Sequence, residues 1–384
     1  MPPFSATKRF RRAADDRRDA PVYTLTTLVE HHYPPIQRDT RGSDHIAPIR
    51  MEEPCEIPCE DWRVKNLKSL VFICAFVAVA TAGDIRPGQQ QQPKRRMAIT
   101  VDDLPVAQPS WHSNRQMDQI TTDLLATFNK HRVPAVGFVN EGKLRVEGET
   151  DSFRLEILQR WLDGGLELGN HGYSHLDLHR VPPEEWMADV VRGEAETRKL
   201  MEASGRKLRF FRHPFLHTGM SVEIQEETSE FLGSRGYTVA PVTIDNSEWV
   251  YGRAYAEAYS AGDEELKRRI GEDYLRYMLE VVRFYEGQSV AITGRAIPHV
   301  LLVHAYALNA DWLDELLVEL EKLGYSWISL EEALKDPVYG RAIGGWKGRG
   351  GISWLHRWAI TEGVDREVFQ GEPEPPEWVA GVGR

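Results

Sequence analysis

The chain has few cysteines and no excess of positive charge. Its three cysteines, Cys55, Cys59 and Cys74, all precede residue 84, so the rest of the 384 residues contains no thiol for a disulfide. This pattern suits an oxidising compartment without requiring one. Lys and Arg number 47 against 58 Asp and Glu, a net charge of -11. Such a chain has no general attraction to phosphate backbones, and we expect no nucleic-acid partner.

The apolar run SLVFICAFVAVA, residues 69–80, is shorter than the ~20 residues that a transmembrane helix needs. Basic residues precede it and an Ala-x-Ala pattern follows it, which predicts a signal peptide at residues 64–82 and a secreted or periplasmic protein with no stable membrane span after processing. A permanent transmembrane helix or a buried core helix is the alternative. Residues 1–63 form an N-terminal extension, and Met51 offers an in-frame start that would leave residues 1–50 untranslated.

Residues 83–96, rich in Gln, Pro and Arg, read as a flexible linker to a folded domain that begins near Met97. From there, short apolar runs alternate with amphipathic stretches, a pattern typical of strand–helix units around a parallel sheet. Seven strands are predicted, and the fold class is α/β, an irregular (β/α) barrel of about seven strands. The catalytic domain is predicted at residues 97–370, with an insertion at 251–298 and a tail at 371–384. The strands are MAITVDD, VPAVGFVN, LELGNHG, LRFFRHP, YTVAPVTID, HVLLVHAY and YSWISL. Helices are predicted between them, one over EEWMADVVRGEAETRKLM at residues 184–201 and another at residues 255–286.

Polar and charged residues that could act as metal ligands, acids or bases lie at the carboxyl ends of these strands. In (β/α) barrels the active site forms at that end. These residues are Asp102, Asp103, His171, Arg212, Asp245 and His304.

The motif HGYSH places His171 and His175 four residues apart, so two imidazoles can share one ion, and Asp103 supplies a carboxylate from another strand end. Two His and one carboxylate with open positions form a frequent catalytic zinc site. We therefore expect one divalent metal ion, with zinc ahead of cobalt, nickel or manganese. The alternative is a polar loop together with two Asp that cap a helix.

Asp102, next to Asp103 in the chain, points differently in an extended strand and can act as a general base toward a water activated by the metal. His304 ends a very apolar strand and is placed to protonate a leaving group. A single His at a strand end is also compatible with a hydrogen-bonded core residue.

These residues resemble the motifs of the polysaccharide deacetylases, the NodB-homology carbohydrate esterases of family four, over residues 97–334. TVDDLP resembles the first motif, which implies Asp102 as base and Asp103 as metal ligand. HGYSH resembles the second, which implies His171 and His175 as the other ligands.

The remaining three motifs follow in the family's order. RHPF implies that Arg212 orients the base and that the Phe215 amide is an oxyanion donor. DNSEW resembles the fourth motif, which implies that Asp245 or Glu248 tunes the proton affinity of the catalytic His and that Trp249 forms one wall of the pocket. LVH implies that Leu302 lines the acetyl pocket and that His304 is the general acid.

The resemblance implies removal of acetyl groups from an acetylated carbohydrate, N-acetyl in preference to O-acetyl, and assigns no oligomeric state. Leu104, Gly172 and His213 depart from the motifs; Leu104 is expected to narrow the approach to the metal or to mark a branch with other substrates. The alternatives are an amidohydrolase acting on a small non-sugar amide, and a carbohydrate-binding barrel without activity.

Two further stretches allow more than one interpretation. The insertion at 251–298 either shapes the substrate groove or offers a surface to another partner. Aromatic residues of the segment GGISWLHRWAITEG either line a sugar site or pack against the barrel; they are Trp354, His356 and Trp358.

Overall fold

The computed structural model describes residues 95–382. The predicted extension, the signal-like segment and all but the last two residues of the predicted linker lie outside the described residues. The first strand begins at Arg95, so Arg95 and Arg96 belong to the sheet and not to the linker.

The described chain contains nine strands and eleven α-helices. The strands are β1 (Arg95–Leu104), β2 (Val136–Val139), β3 (Arg145–Val146), β4 (Glu149–Thr150), β5 (Glu167–Asn170), β6 (Phe210–Phe211), β7 (Thr238–Val239), β8 (His299–His304) and β9 (Tyr325–Trp327). The helices are α1 (Asn114–His131), α2 (Ser152–Asp163), α3 (Pro183–Arg192), α4 (Ala195–Ala203), α5 (Val222–Ser234), α6 (Glu248–Ala261), α7 (Glu264–Thr293), α8 (Ala307–Lys322), α9 (Leu330–Leu334), α10 (Trp354–Thr361) and α11 (Glu377–Ala380). Short 3-10 turns occupy Pro109–Trp111, Glu141–Leu144, Pro214–Leu216, Pro337–Gly340 and Arg366–Phe369.

Seven parallel strands form one sheet in the order β7-β6-β5-β2-β1-β8, with β9 also paired to β1. The chain after β7 curls across to the opposite edge, where the Thr243 amide donates to the Val300 carbonyl at 3.1 Å and Ile244 forms a parallel bridge with Leu301 of β8. The sheet is therefore an irregular (β/α) barrel, and the seven predicted strands are confirmed. The short β3–β4 hairpin was not predicted.

The central strands are apolar on both faces because helices and the barrel interior cover them. Glycine at position 137 of β2 leaves room for a neighbour: a Cβ there would lie 2.3 Å from Leu104 Cδ1. Leu104 is fully buried, so it packs in the core. The expectation that Leu104 narrows the approach to the metal is thus wrong.

Two predicted helices are each divided by a glycine. The helix predicted around residues 184–201 is α3 followed by α4, with Gly193 between them packed so closely on Gly172 that a Cβ would lie 2.4 Å from the Gly172 carbonyl carbon. The helix predicted at 255–286 is α6 and α7. Gly262 ends α6 in the left-handed region at φ 67, and Asp263 caps α7 by accepting from the Leu266 amide at 2.9 Å.

The helices of the predicted insertion, α6 and α7, contribute to the hydrophobic core. Each buries tyrosines against the barrel or against α8; these are Tyr251, Tyr255, Tyr274, Tyr277 and Tyr285. Within residues 95–382, no helix combines the length and apolarity that crossing a membrane requires.

The aromatic residues of α10 are buried. Trp354, His356 and Trp358 are 5%, 6% and 0% exposed, so packing against the barrel is confirmed and a sugar-lining role for these three is wrong. The predicted tail also contacts the domain, because Glu372 accepts a hydrogen bond from the Tyr285 hydroxyl at 2.6 Å.

We expect Trp358→Ala to lower the free energy of unfolding by about 3–5 kcal/mol, because it leaves a cavity in the core. Trp111→Ala is the matched control, since Trp111 is 43% exposed; its change should stay within about 0.5 kcal/mol. Urea unfolding of both variants measures the difference, and equal stability of the two would contradict the packing role.

Candidate active site

The two acids of the first motif lie at the end of β1. Asp102 is paired in register with His304 of β8, and the β1–β2 register shifts between Val101 and Leu104. Asp103 adopts φ 74, in the left-handed region that Asp tolerates better than most residues. The backbone therefore turns between the two residues, and Asp103 faces the histidine loop while Asp102 remains in the strand.

Asp103, His171 and His175 each bring one ligand atom to within 4.8 Å of the others. The two imidazole rings are edge-on at 78° with centroids 4.8 Å apart. His171 Nδ1 lies 2.8 Å from the Arg212 carbonyl oxygen, which leaves Nε2 for an ion, as is usual for metal-binding histidines. Burial lowers the pKa of both histidines, so they are neutral ligands. The donor set fits a divalent ion.

The loop that carries the histidines is fixed by buried polar side chains. Asn170 Oδ1 accepts from the Gly172 amide at 2.7 Å, and Asp189 of α3 accepts from the amides of Tyr173 and Ser174 at 2.9 and 3.0 Å. Gly172 has φ +77, and a Cβ there would lie 2.9 Å from Asp189 Oδ2. The glycine in the second motif therefore reflects the shape of this loop.

Asp102 is buried beside the predicted orienting residue. Arg212 Nη1 lies 3.7 Å from Asp102 Oδ2, and the fully buried guanidinium also donates to Thr100 Oγ1 at 2.8 Å. Asp102 Oδ1 is buried with no hydrogen-bond partner in the described structure. Burial raises the pKa of Asp102 to about 6, partly offset by Arg212 and His304. A carboxylate with this pKa and a free oxygen is suited to take a proton near neutral pH.

His304 is held by a buried carboxylate at the start of α6. Its Nδ1 lies 2.7 Å from Glu248 Oε2, and the Asn309 amide donates to the His304 carbonyl at 2.8 Å. Burial lowers the pKa of His304, but the Glu248 charge and hydrogen bond outweigh this effect and raise it to about 9. His304 is thus a cation at neutral pH, with a proton to donate.

Of the two acids in the fourth motif, the structure brings Glu248 to His304. Asp245 instead interacts electrostatically with Arg212 and Arg357, away from the imidazole. Of the two alternatives predicted to tune His304, the structure therefore supports Glu248, and Asp245, which the strand pattern placed among the catalytic residues, does not contact the imidazole. Glu248 is the first residue of α6 and does not end a strand. The pattern of polar residues after strands therefore pointed to Asp245.

The remaining predicted residues divide into exposed and buried ones. Phe215 and Trp249 are 46% and 47% exposed, and the Phe215 ring lies 4.4 Å from the His175 ring. Leu302 is buried in β8 at 6% exposure. His213 is buried and stacked on Trp186 at 5.2 Å, and burial lowers its pKa to about 3, so this departure from the third motif is a neutral core residue.

Lys143 is a site residue that the sequence did not reveal. Its ammonium lies 2.9 Å from Asp103 Oδ1 and donates to the Ala107 carbonyl at 2.9 Å. Burial raises the pKa of Asp103, but Lys143 and then His175 outweigh it, and the pKa falls well below its usual range. No motif or spacing marked Lys143, because it lies in the 3-10 turn after β2, 40 residues along the chain from Asp103.

A second group with metal-binding side chains, Asp177, His179 and His217, lies beside the first. Here Asp177 Oδ1 is only 2.5 Å from His217 Nδ1, and the two imidazoles are stacked in parallel at 3.9 Å. Parallel rings do not direct their lone pairs at one point. This group is best described as a hydrogen-bonded pair that ties the His loop to the segment after Phe215.

Residues 89–238 match the family model described as polysaccharide deacetylase. The match shows that this part of the chain is similar to the polysaccharide deacetylases. It confirms the resemblance inferred from the motifs. The matched region is less than half of the 384 residues and contains the first three motifs, whereas Glu248 and His304 lie beyond it.

Solved structures that match part of the chain include a peptidoglycan deacetylase from Bacillus subtilis, 21% identical over 63% of this chain and 92% of that one, with a TM-score of 0.38. A family 4 acetyl xylan esterase from Clostridium thermocellum in complex with a cobalt ion is 17% identical over 63% and 91%, with a TM-score of 0.40. A CE4 family pseudoenzyme from Bacillus anthracis is 17% identical over 63% and 66%, with a TM-score of 0.39. These low similarities say nothing about activity. No curated protein matches the chain.

We expect Lys143→Met to tighten the binding of Zn²⁺ by about tenfold or more, because an ion on Asp103 is repelled by the neighbouring ammonium. Competition with a chromophoric chelator measures the affinity. Lys130→Met is the control, since Lys130 pairs with Asp314 on the surface. Unchanged or weaker binding by Lys143→Met would show that the ammonium does not compete with the ion.

Proposed function

We propose that the chain is a metal-dependent hydrolase that removes acetyl groups from an acetylated sugar polymer or oligosaccharide, N-acetyl in preference to O-acetyl. The observation that carries the proposal is a matched pair of proton-transfer groups beside a metal-binding cluster. Asp102, with a pKa of about 6, and His304, with a pKa of about 9, are register partners on adjacent strands. At neutral pH the first is mainly a base and the second an acid, which is the division that amide hydrolysis needs.

Asp103, His171 and His175 would hold one divalent ion, with zinc preferred to cobalt, nickel or manganese. When bound, the ion supplies a Lewis acid that polarises a carbonyl and acidifies water. Asp102 takes the proton from the attacking water, and Arg212 keeps this carboxylate in place. The Phe215 amide donates to the oxyanion, and His304, kept protonated by Glu248, gives its proton to the departing nitrogen or oxygen.

Two alternatives differ from this proposal in substrate and in chemistry. An amidohydrolase for a small non-sugar amide would use the same acid and base. The departures from the family motifs at Leu104 and Gly172 no longer favour this alternative, because the packing around each residue explains why it is there. The exposed rings of Phe215 and Trp249 offer flat apolar faces, which suit sugar rings. A non-catalytic carbohydrate-binding barrel would have no use for a base and an acid with shifted pKa values beside a metal cluster.

The proposed location is secreted or periplasmic. It rests on the signal-like residues 64–82 and on the absence of cysteine after residue 84. Such a location would give the enzyme access to polymers outside the cytoplasm.

The test is acetate release from chitooligosaccharides, peptidoglycan fragments and acetylated xylan, with N-acetyl amino acids as small non-sugar amides. We expect release from at least one carbohydrate, loss of release with a chelator, and recovery on adding Zn²⁺. Asp102→Asn should lower kcat by about 10²-fold or more while the protein still binds the metal, because the base is lost and the ligands remain.

Asp314→Asn is the matched control for Asp102→Asn, since Asp314 lies in a surface ion pair with Lys130. A normal rate for Asp102→Asn would refute its role as base. Activity on the small amides alone would support the amidohydrolase, and carbohydrate binding without any release would support the non-catalytic barrel.

The proposed acid also predicts a pH profile. A general acid must be protonated, so we expect kcat to fall as the pH rises through about 9, the pKa of His304. Glu248→Gln removes the negative charge that stabilises the imidazolium, and the alkaline limb should move down by about one pH unit or more. Glu265→Gln, an exposed carboxylate on α7, is the control. An alkaline limb that stays in place in Glu248→Gln would exclude His304 as its origin.

A further inference from the structure

The turn that carries Phe215 has an unusual backbone. Phe215 and Leu216 adopt φ values of 57 and 56, two successive left-handed residues that are not glycine. Each such residue costs about 1–2 kcal/mol, so surrounding contacts must stabilise the conformation. The hydrogen bonds within the turn come from the amides of Leu216 and His217, both at 3.0 Å, and the amide of Phe215 donates neither of them.

A buried arginine from α10, over a hundred residues later, holds this turn. Arg357 is fully buried; its Nη2 donates to the Leu216 carbonyl at 2.6 Å and its Nη1 to Thr218 Oγ1 at 2.9 Å. Its Nε donates to the Ile352 carbonyl at 3.3 Å, within its own segment. One planar guanidinium therefore links α10 to both Leu216 and Thr218 in the fixed geometry that arginine provides.

The segment before α10 is itself fixed to the barrel and to the turn. Ser353 Oγ donates to the Thr243 carbonyl at 2.9 Å, and the Trp354 amide donates to the Val242 carbonyl at 2.7 Å. Gly351 lies against the turn so closely that a Cβ would be 1.9 Å from the Phe215 carbonyl oxygen. The arginine thus acts from a rigid support, and Asp245 provides a nearby compensating charge.

The turn is also adjacent to the candidate metal ligands, because the ring centroids of Phe215 and His175 are 4.4 Å apart. From these contacts we infer that Arg357 is a positioning residue: it fixes the strained turn that presents the Phe215 amide to the oxyanion, and the segment 351–357 is thereby part of the active site. This inference rests on the proposed function for its effect on catalysis. Its structural half, that Arg357 holds the turn, is testable without activity.

The kinetic experiment compares Arg357→Lys, Arg357→Met and Thr218→Val on whichever substrate the wild type deacetylates. Arg341→Met is the matched control, since Arg341 also donates to a backbone carbonyl, that of Ile292, away from the turn. We expect kcat to fall about 10–100-fold in the Arg357 variants, because a misplaced oxyanion donor loses its benefit in the transition state. KM and Zn²⁺ affinity should stay within about twofold, because binding does not need that donor.

An unchanged kcat would overturn the inference. So would a fall in kcat that is no larger than the loss of folded, Zn²⁺-binding protein. If Arg357→Met does not fold, Arg357→Lys and Thr218→Val test the same contacts with a smaller loss. Lysine can reach one of the two acceptors but cannot reproduce the planar pair.

Hydrogen exchange of the Leu216 and His217 amides, measured by NMR on the same proteins, separates this inference from the proposed function. We expect faster exchange in Arg357→Lys than in Arg341→Met, since loss of the guanidinium contacts frees the turn. Equal exchange would overturn the inference even for an active enzyme. Faster exchange in a protein that releases no acetate would retain the positioning role and reject the deacetylase proposal.

Discussion

The parallel pairing of β1 with β8 is the constraint on which the candidate site depends. It sets Asp102 opposite His304, and the left-handed residue that follows turns Asp103 toward the histidine loop. A one-residue slip of this register would send the side chains of β1 to the opposite face, so the candidate proton-transfer pair and the candidate metal ligands depend on the same set of backbone hydrogen bonds. The apolar interior of both strands enforces that register.

Around this pairing the protein buries several charges that compensate one another. Arg212 lies beside Asp102, Glu248 beside His304, and Asp245 interacts with Arg357. Buried ions are costly unless they are paired and hydrogen-bonded, so removing one partner would disturb the others. The electrostatics of the site is therefore a property of several strand ends and two helices together.

Sequence reasoning predicted the strands and the ligands because both follow local patterns. Apolar runs that end in Asp102, His171 or His304 show the strand and its functional residue at once. The helix breaks at Gly193 and Gly262 were missed, since the amphipathic pattern continues across them. The close contact between Gly193 and Gly172, which requires the first break, joins two segments whose proximity only the fold creates.

The residues that hold the site from a distance left no such signal. Lys143, Asp189 and Arg357 act through contacts with residues 15 to 141 positions away in sequence. Each lies in a helix or turn where a charged residue is ordinary, and only the fold brings it to the site. The sequence left Asp245 and Glu248 as alternatives for a related reason: Asp245 follows a strand, whereas Glu248 begins a helix that only the fold brings to His304.

The ammonium of Lys143 also affects how the Asp103 carboxylate is stabilised when no metal ion is bound. Asp103 already has an internal counter-ion, so the carboxylate can be buried in the folded chain without a bound metal. Small zinc domains, in contrast, gain their folding energy from the ion itself. An ion at this cluster would therefore compete with the Lys143 ammonium for Asp103, and the surrounding scaffold would not depend on the ion to bury this carboxylate.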